Sequence, residues 1–271
     1  MPIDNRPMLW TCDRLPHVMM VGSIHFLGED SIPTWLDECL IRANAAVVEF
    51  DRNTYAPPPA FAPGLDVAAP ATWARVVALA SDLGTPDLED LRRRYPHALA
   101  TELARLKLED AGFSFEHGVD KHVLDNSAIA LGLETFPEHY AIVHQGPSIN
   151  TQIQALELSL DHLPDLPVRI RAAITAWQAG NAEGVLEVLQ LRDQEDRYPE
   201  IGRALFTMRH ELWLPRLERF VVKASELNHQ LIVAVGTAHL AGPRSLLLDI
   251  EERWGCRFEQ VATWPSAGEE S

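Results

Sequence analysis

Val18-Met19-Met20-Val21-Gly22-Ser23-Ile24-His25 and Leu231-Ile232-Val233-Ala234-Val235-Gly236-Thr237-Ala238-His239 are the stretches whose reading decides the fold. Each is an apolar run of strand length that ends at a glycine and places a histidine three residues later. Glycine tolerates positive φ at little steric cost, so each run can turn sharply on leaving the sheet. The histidine then sits above the carboxyl edge, where open α/β sheets bind their ligands. The two copies lie near opposite ends of the chain. If their strands are neighbours, the two imidazoles converge on one site.

Working outward, Leu9 to Cys12 and His17 to Val21 predict two short strands joined by a hairpin over Asp13-Arg14-Leu15-Pro16. A helix is expected from about Ser31-Ile32-Pro33, with Trp35, Leu36, Cys39, Leu40 and Ala43 at helical spacing. Ala45 to Phe50 is a compact strand ending at Glu49, and the strand-helix-strand order predicts a right-handed parallel crossover. Five prolines between Pro57 and Pro70 predict a loop. Residues 72 to 128 predict helices, including Ala98 to Asp110 and Val123 to Leu131, with Gly132 as a helix terminator. Leu133-Glu134-Thr135-Phe136 is a short strand. Helical periodicity returns from Ile149 to Leu163 and runs with breaks to Leu227, the last section bent near Pro215. Strand, glycine turn, helix and strand close the chain, with a frayed tail over Pro265 to Ser271. The expected fold is α/β: one domain over 1–271, with a mostly parallel central sheet built from both chain ends. A large helical insertion spans roughly residues 72–228.

With 39 acidic against 23 basic residues the formal net charge is −16. Nucleic acid and anionic membranes need clustered Lys and Arg, so neither is an expected partner. No stretch reaches the ~20 apolar residues that span a bilayer, and Met1 to Pro16 lacks the apolar core of a signal peptide. Cys12, Cys39 and Cys256 have no metal-type spacing and are expected as buried thiols, which fits a cytoplasmic location. An apolar face of the helical insertion is free to pack on a second copy, so a homo-oligomer is compatible with the pattern.

The chain lacks a P-loop, a Gly-x-Gly-x-x-Gly after a strand and a Gly-x-Ser-x-Gly elbow. His210-Glu211 starts like a zinc-protease helix, but Leu214 stands where the second histidine belongs. What remains is a set of imidazoles and carboxylates at strand ends. His25 and His239 are candidate metal ligands or an acid/base pair. Glu49 and Glu134 are each candidates for a ligand or for the base that deprotonates a bound water. Arg209 is placed to stabilise an oxyanion or to pair with a carboxylate. Asp120 reads equally as a helix cap or a site residue. Glu116, His117 and His122 read as surface, and His139 and His144 do not share a helical face.

These residues carry a resemblance. Leu9-Trp10, Val21-Gly22-Ser23-Ile24-His25, Ala45 to Asp51, Gly118-Val119-Asp120, Leu133-Glu134-Thr135, Arg209, and Val235 to Gly242 follow one another in the order of the TraB/GumN family. That family is related to the Tiki metalloproteases and, more distantly, to erythromycin esterase-like and ChaN-like proteins. The resemblance implies a parallel α/β core with a helical insertion. Through the Tiki relatives it implies metal-dependent peptidase chemistry, with His25, Glu49 and His239 on a divalent transition metal (zinc, manganese or cobalt) and Glu134 and Arg209 close by. The chain departs from the pattern at His210, where asparagine is expected.

The resulting expectation is a metal-dependent hydrolase acting on a peptide or small-molecule substrate. Two alternatives stand beside it: a metal-free hydrolase of the erythromycin esterase type, and a non-catalytic protein that binds a peptide or a metal-bearing ligand.

Overall fold

The computed structural model describes residues 7–262 apart from 30, 63, 85–86 and 191–195. Six strands form the sheet among the described residues: β1 (Leu9–Thr11), β2 (Val18–Ser23), β3 (Ala45–Asp51), β4 (Ala130–Thr135), β5 (Leu231–Gly236) and β6 (Glu259–Gln260). Their spatial order is β4-β3-β5-β2-β1-β6. β2, β5, β3 and β4 run parallel, and β1 pairs antiparallel with both β2 and β6. The sheet is thus mostly parallel and assembled from both ends of the chain.

Every residue of β2 and of β5 is buried. That burial explains why both read as unbroken apolar runs: helices cover central parallel strands on both faces. Trp177, from the helix Leu166–Gln178, reaches the sheet and donates its indole N–H to the Gly22 carbonyl at 2.8 Å. Trp213 and Leu217, from the helix Met208–Leu227, join the same core. The helical layer also holds a cluster of its own, around Leu65, Leu91, Leu99, Leu103 and Leu156. Cys12, Cys39 and Cys256 are buried free thiols. Among the described residues no helix is long and apolar enough to cross a membrane.

Several local expectations need correction. Neither Gly22 nor Gly236 has positive φ. What their positions require is the missing side chain: a Cβ on Gly22 would lie 2.9 Å from Thr237 Oγ1. The helix expected over Val123 to Leu131 is instead Val119–Asn126, and Gly132 lies inside β4 rather than ending a helix. Ile129 to Leu131 match helical and strand patterns alike, and pairing with β3 decides the outcome. β4 therefore interrupts the helical insertion. The proline-rich stretch contains one helical turn, Leu65–Ala68. The long helix begins at Met208 after a π-helical turn, Arg203–Thr207. The last strand is shorter than expected, and the tail from Pro265 lies outside the described residues.

Candidate functional site

Strand register builds the site. β2 and β5 are aligned Gly22 to Val235 and Ser23 to Gly236, so both chains leave the sheet side by side. His25 follows β2 by two residues, and His239 lies in the short helix Thr237–Leu240 directly after β5. β3 lies next to β5 and carries Glu49; β4 lies next to β3 and carries Glu134, aligned with Phe50. Four parallel strands thereby deliver two imidazoles and two carboxylates to one carboxyl edge.

Arg209 comes to that edge from the helix side, just after the π-helical turn. Such turns recur at functional sites because they re-aim a side chain within a helix. Its Nε donates to Glu134 Oε1 at 3.0 Å, and its Nη2 to Glu134 Oε1 at 2.6 Å and Glu49 Oε2 at 2.5 Å. Its Nη1 lies 3.0 Å from His239 Nε2, and the guanidinium stacks 4.3 Å from the Trp213 ring centroid. Arginine is always a donor, so His239 accepts at Nε2 and carries its proton on Nδ1. His239 Nδ1 then donates to His210 Nε2 at 3.0 Å, and His210 Nδ1 to Asp249 Oδ2 at 2.8 Å. The hydrogen bonds run in one direction from Arg209 to Asp249, and one permanent charge fixes both tautomers.

His25 belongs to a second chain. Its Nδ1 is 2.6 Å from Asp120 Oδ2, and Ser23 donates to Asp120 Oδ1 at 2.8 Å. Asp120 sits in the first turn of Val119–Asn126 but does not cap it; Gly118 holds the cap position. Of its two readings, the helix cap is therefore set aside. Gly118 packs against the His25 backbone: a Cβ there would lie 2.2 Å from the His25 carbonyl oxygen. Gly118→Ala is thus expected to move the His25 segment and cost about 1–3 kcal/mol. Urea denaturation of the variant checks this; an unchanged midpoint would show that the segment yields freely.

The electrostatics follow from these contacts. The Asp120 carboxylate pushes the His25 pKa up to about 9 against the opposing effect of burial. Burial holds the His239 pKa well below its usual value, with Arg209 adding to the effect and Glu49 opposing it. Burial also lowers that of His210, against the pull of Asp249. Burial alone would raise the Glu49 pKa, but Arg209, the two imidazoles and the Gly236 N–H at 2.6 Å overcome it, and Glu49 stays ionised. At neutral pH the site holds an imidazolium at His25 and a neutral imidazole at His239. The His25 side chain is 43% exposed, whereas those of Glu49, Glu134, Arg209 and His239 are at most 8% exposed. His25 is thus the most exposed side chain of these five.

All five residues singled out in the sequence, His25, Glu49, Glu134, Arg209 and His239, lie in this cluster. Sequence reasoning missed His139, which bonds Glu134 Oε1 at 3.0 Å, and Trp213, whose N–H reaches Glu134 Oε2 at 3.0 Å. Trp213 stands one helical turn after Arg209, a spacing that could have flagged it. Asp249, on a separate helix, left no such signal. Glu116 is a surface residue, and His122 pairs with Asp37.

Geometry and residue order together define an α/β protein with a polar cluster buried at the carboxyl edge of its sheet. The chain matches the TraB/PrgY/gumN family over residues 18–256 and belongs to it. No curated protein and no solved structure matches the chain.

The family resemblance implies a divalent metal on His25, Glu49 and His239. The donor chemistry is suitable: each imidazole is backed through Nδ1, His25 by Asp120 and His239 by His210 and Asp249, as metal-binding histidines commonly are. The arrangement is not. Arg209 occupies His239 Nε2 and Glu49 Oε2, and a dication in bonding range of His239 would press against its guanidinium. Among the described residues no group of three or more His, Cys, Asp or Glu side chains is placed to hold a metal ion. With Arg209 in this position the residues do not fit the metal.

Proposed function

We propose that this chain is a hydrolase of peptide, amide or related ester bonds that works through the His25–Asp120 pair, with Arg209 as its fixed cation. The observation that carries the reading is Arg209, whose guanidinium joins Glu49, Glu134 and His239 at the centre of the site. Of its five N–H groups, Nε uses one on Glu134, Nη2 uses two on Glu49 and Glu134, and Nη1 uses one on His239. Among the described residues one N–H on Nη1 remains for the oxygen that gains charge as a carbonyl is attacked.

The other parts follow from the contacts. Gly236 has Glu49 Oε1 and His25 Nε2 on one side of its backbone: a Cβ there would lie 3.2 Å from the first and 3.7 Å from the second. A water held between Glu49 and His25 is oriented by Glu49 and gives its proton to neutral His25; the imidazolium then protonates the leaving group. Glu49 is too acidic to serve as the base. Glu134 is saturated by Arg209, Trp213 and His139, and clamps the guanidinium. Asp120 holds the His25 ring and stabilises its charge.

The test is turnover of peptide and activated-ester substrates with and without a chelator. Activity is expected to ignore the chelator. Asp120→Asn is expected to lower kcat by at least ~10²-fold, since it removes both the orientation and the charge partner of the base. In the native protein kcat/KM should rise with pH toward about 9, where His25 becomes neutral. In Asp120→Asn that inflection should move toward the ordinary histidine value near 6.5. An unmoved inflection would remove His25 from the base role.

A metal-dependent hydrolase is the second reading, favoured by the backing of both imidazoles. About one equivalent of transition metal in the purified protein, lost in the His25→Ala/His239→Ala variant together with chelator-sensitive turnover, would establish it over the first.

A further inference from the structure

Phe206, whose ring packs 5.1 Å from that of His239, is also a wall of a cavity of about 290 Å³. Other walls come from the helices Pro96–Asp110, Ile149–His162 and Leu166–Gln178 and from the segment Tyr198 to Leu205. Space exists there because Ala100, Ala104, Ala155 and Gly202 are too small to fill it. The wall hydroxyls are spent on the protein itself: Thr101 on the His97 carbonyl, Ser159 on that of Ala155 and Tyr198 on that of Gln154. The surface offered to a ligand is therefore largely carbon.

Arg169 is the lining residue that carries a permanent charge. Its Nε donates to the Val188 carbonyl at 3.1 Å. Its remaining N–H groups make no hydrogen bond, and it has no ion pair, among the described residues. Burial pushes its pKa down, and Asp165 restores only part of the loss. No described Asp or Glu lines the cavity, although the chain has 39 acids against 23 bases. Among the described residues Arg169 has one carbonyl as its hydrogen-bond partner and only the field of Asp165 to offset its burial; an anionic ligand would offset that cost with charge-assisted bonds.

We propose that this cavity binds a small apolar carboxylate, with its chain among Ala100, Ala104 and Leu158 and its carboxylate on Arg169. At about 30 Å³ per water-sized group the space holds on the order of ten non-hydrogen atoms, the size of a medium-chain fatty acid. The proposal does not depend on the hydrolytic reading, and its test is a binding measurement.

Calorimetric titration of the full chain with octanoate, octanol and octylamine is the experiment. One saturable octanoate site is expected, with octanol and octylamine at least tenfold weaker. Arg169→Met should weaken octanoate at least tenfold and leave octanol unchanged. Ala104→Leu, and more completely Ala104→Phe, should weaken octanoate and octanol together; the Leu variant serves if the Phe variant does not fold. No saturable octanoate binding at millimolar concentration, or equal octanoate affinity in the native protein and Arg169→Met, would overturn the proposal.

Discussion

Arg209→Met is expected to lower stability by about 3–5 kcal/mol, the range seen when one partner of a buried ion pair is removed, and to abolish turnover. Glu49 and Glu134 are 4% and 0% exposed, and both rest on this guanidinium. Methionine fills much of the space but leaves two buried carboxylates side by side without their cation. Arg209→Lys keeps the charge and loses the fork, so it cannot serve Glu49, Glu134 and His239 together. It should fall between the native protein and the Met variant. The triple variant Arg209→Met/Glu49→Gln/Glu134→Gln separates the two effects, because removing every charge also removes the penalty for burying them. Its stability should recover most of the loss while its activity stays absent. Urea denaturation at pH 7 reads the first quantity and substrate turnover the second. A loss under about 1 kcal/mol in Arg209→Met would mean that the two glutamates find other partners or bind protons.

The core of this arrangement is legible in the chain because strand chemistry and site chemistry coincide. Apolar runs broken by Gly22 and Gly236 mark the two central parallel strands, and the histidine after each is carried to the edge by the strand itself. Glu49 stands out because a carboxylate in a buried strand needs a partner. Arg209 is legible as a candidate partner for a carboxylate, but nothing in a helical pattern says that it faces inward; the family order adds that. What the sequence left open is tertiary. Asp120 reads equally as a cap or a site residue until Ser23 and His25 are seen beside it. His139 lies five residues after Glu134, and it is the helix Phe136–Tyr140 that folds it back onto that carboxylate. The boundary between Val119–Asn126 and β4 was missed because residues 129–131 match helical and strand patterns equally well until β3 supplies a pairing partner.

Stability is expected to be greatest at about pH 7 and to drop steeply on the acid side. In the unfolded chain every histidine titrates near 6.5. In the folded chain burial holds His97 down to about 4 and His144 to about 2, and keeps His210 and His239 below their usual value. Below pH 6.5 the unfolded state therefore binds protons that the folded state refuses, and stability falls with pH. An imidazole held well below 5.5 in the fold forfeits about 1 kcal/mol between pH 6.5 and 5.5, so His97, His144 and His239 together cost about 3 kcal/mol, and His210 acts in the same direction. His25 works in the opposite direction. Its pKa of about 9 means that its contribution is complete below 6.5 and is lost as pH rises through 9. Urea midpoints measured from pH 5 to 9.5 should trace both limbs. The His97→Asn/His144→Gln double variant should flatten the acid limb by about half, because it removes two of the four groups. A flat profile between pH 6.5 and 5.5 would mean that these imidazoles ionise within the fold. The neutrality that makes the protein acid-labile is also what the site requires. A proton on His239 Nε2 would face the Arg209 guanidinium at 3.0 Å, break the hydrogen-bonded chain to Asp249 and release the cation that the two glutamates hold in place.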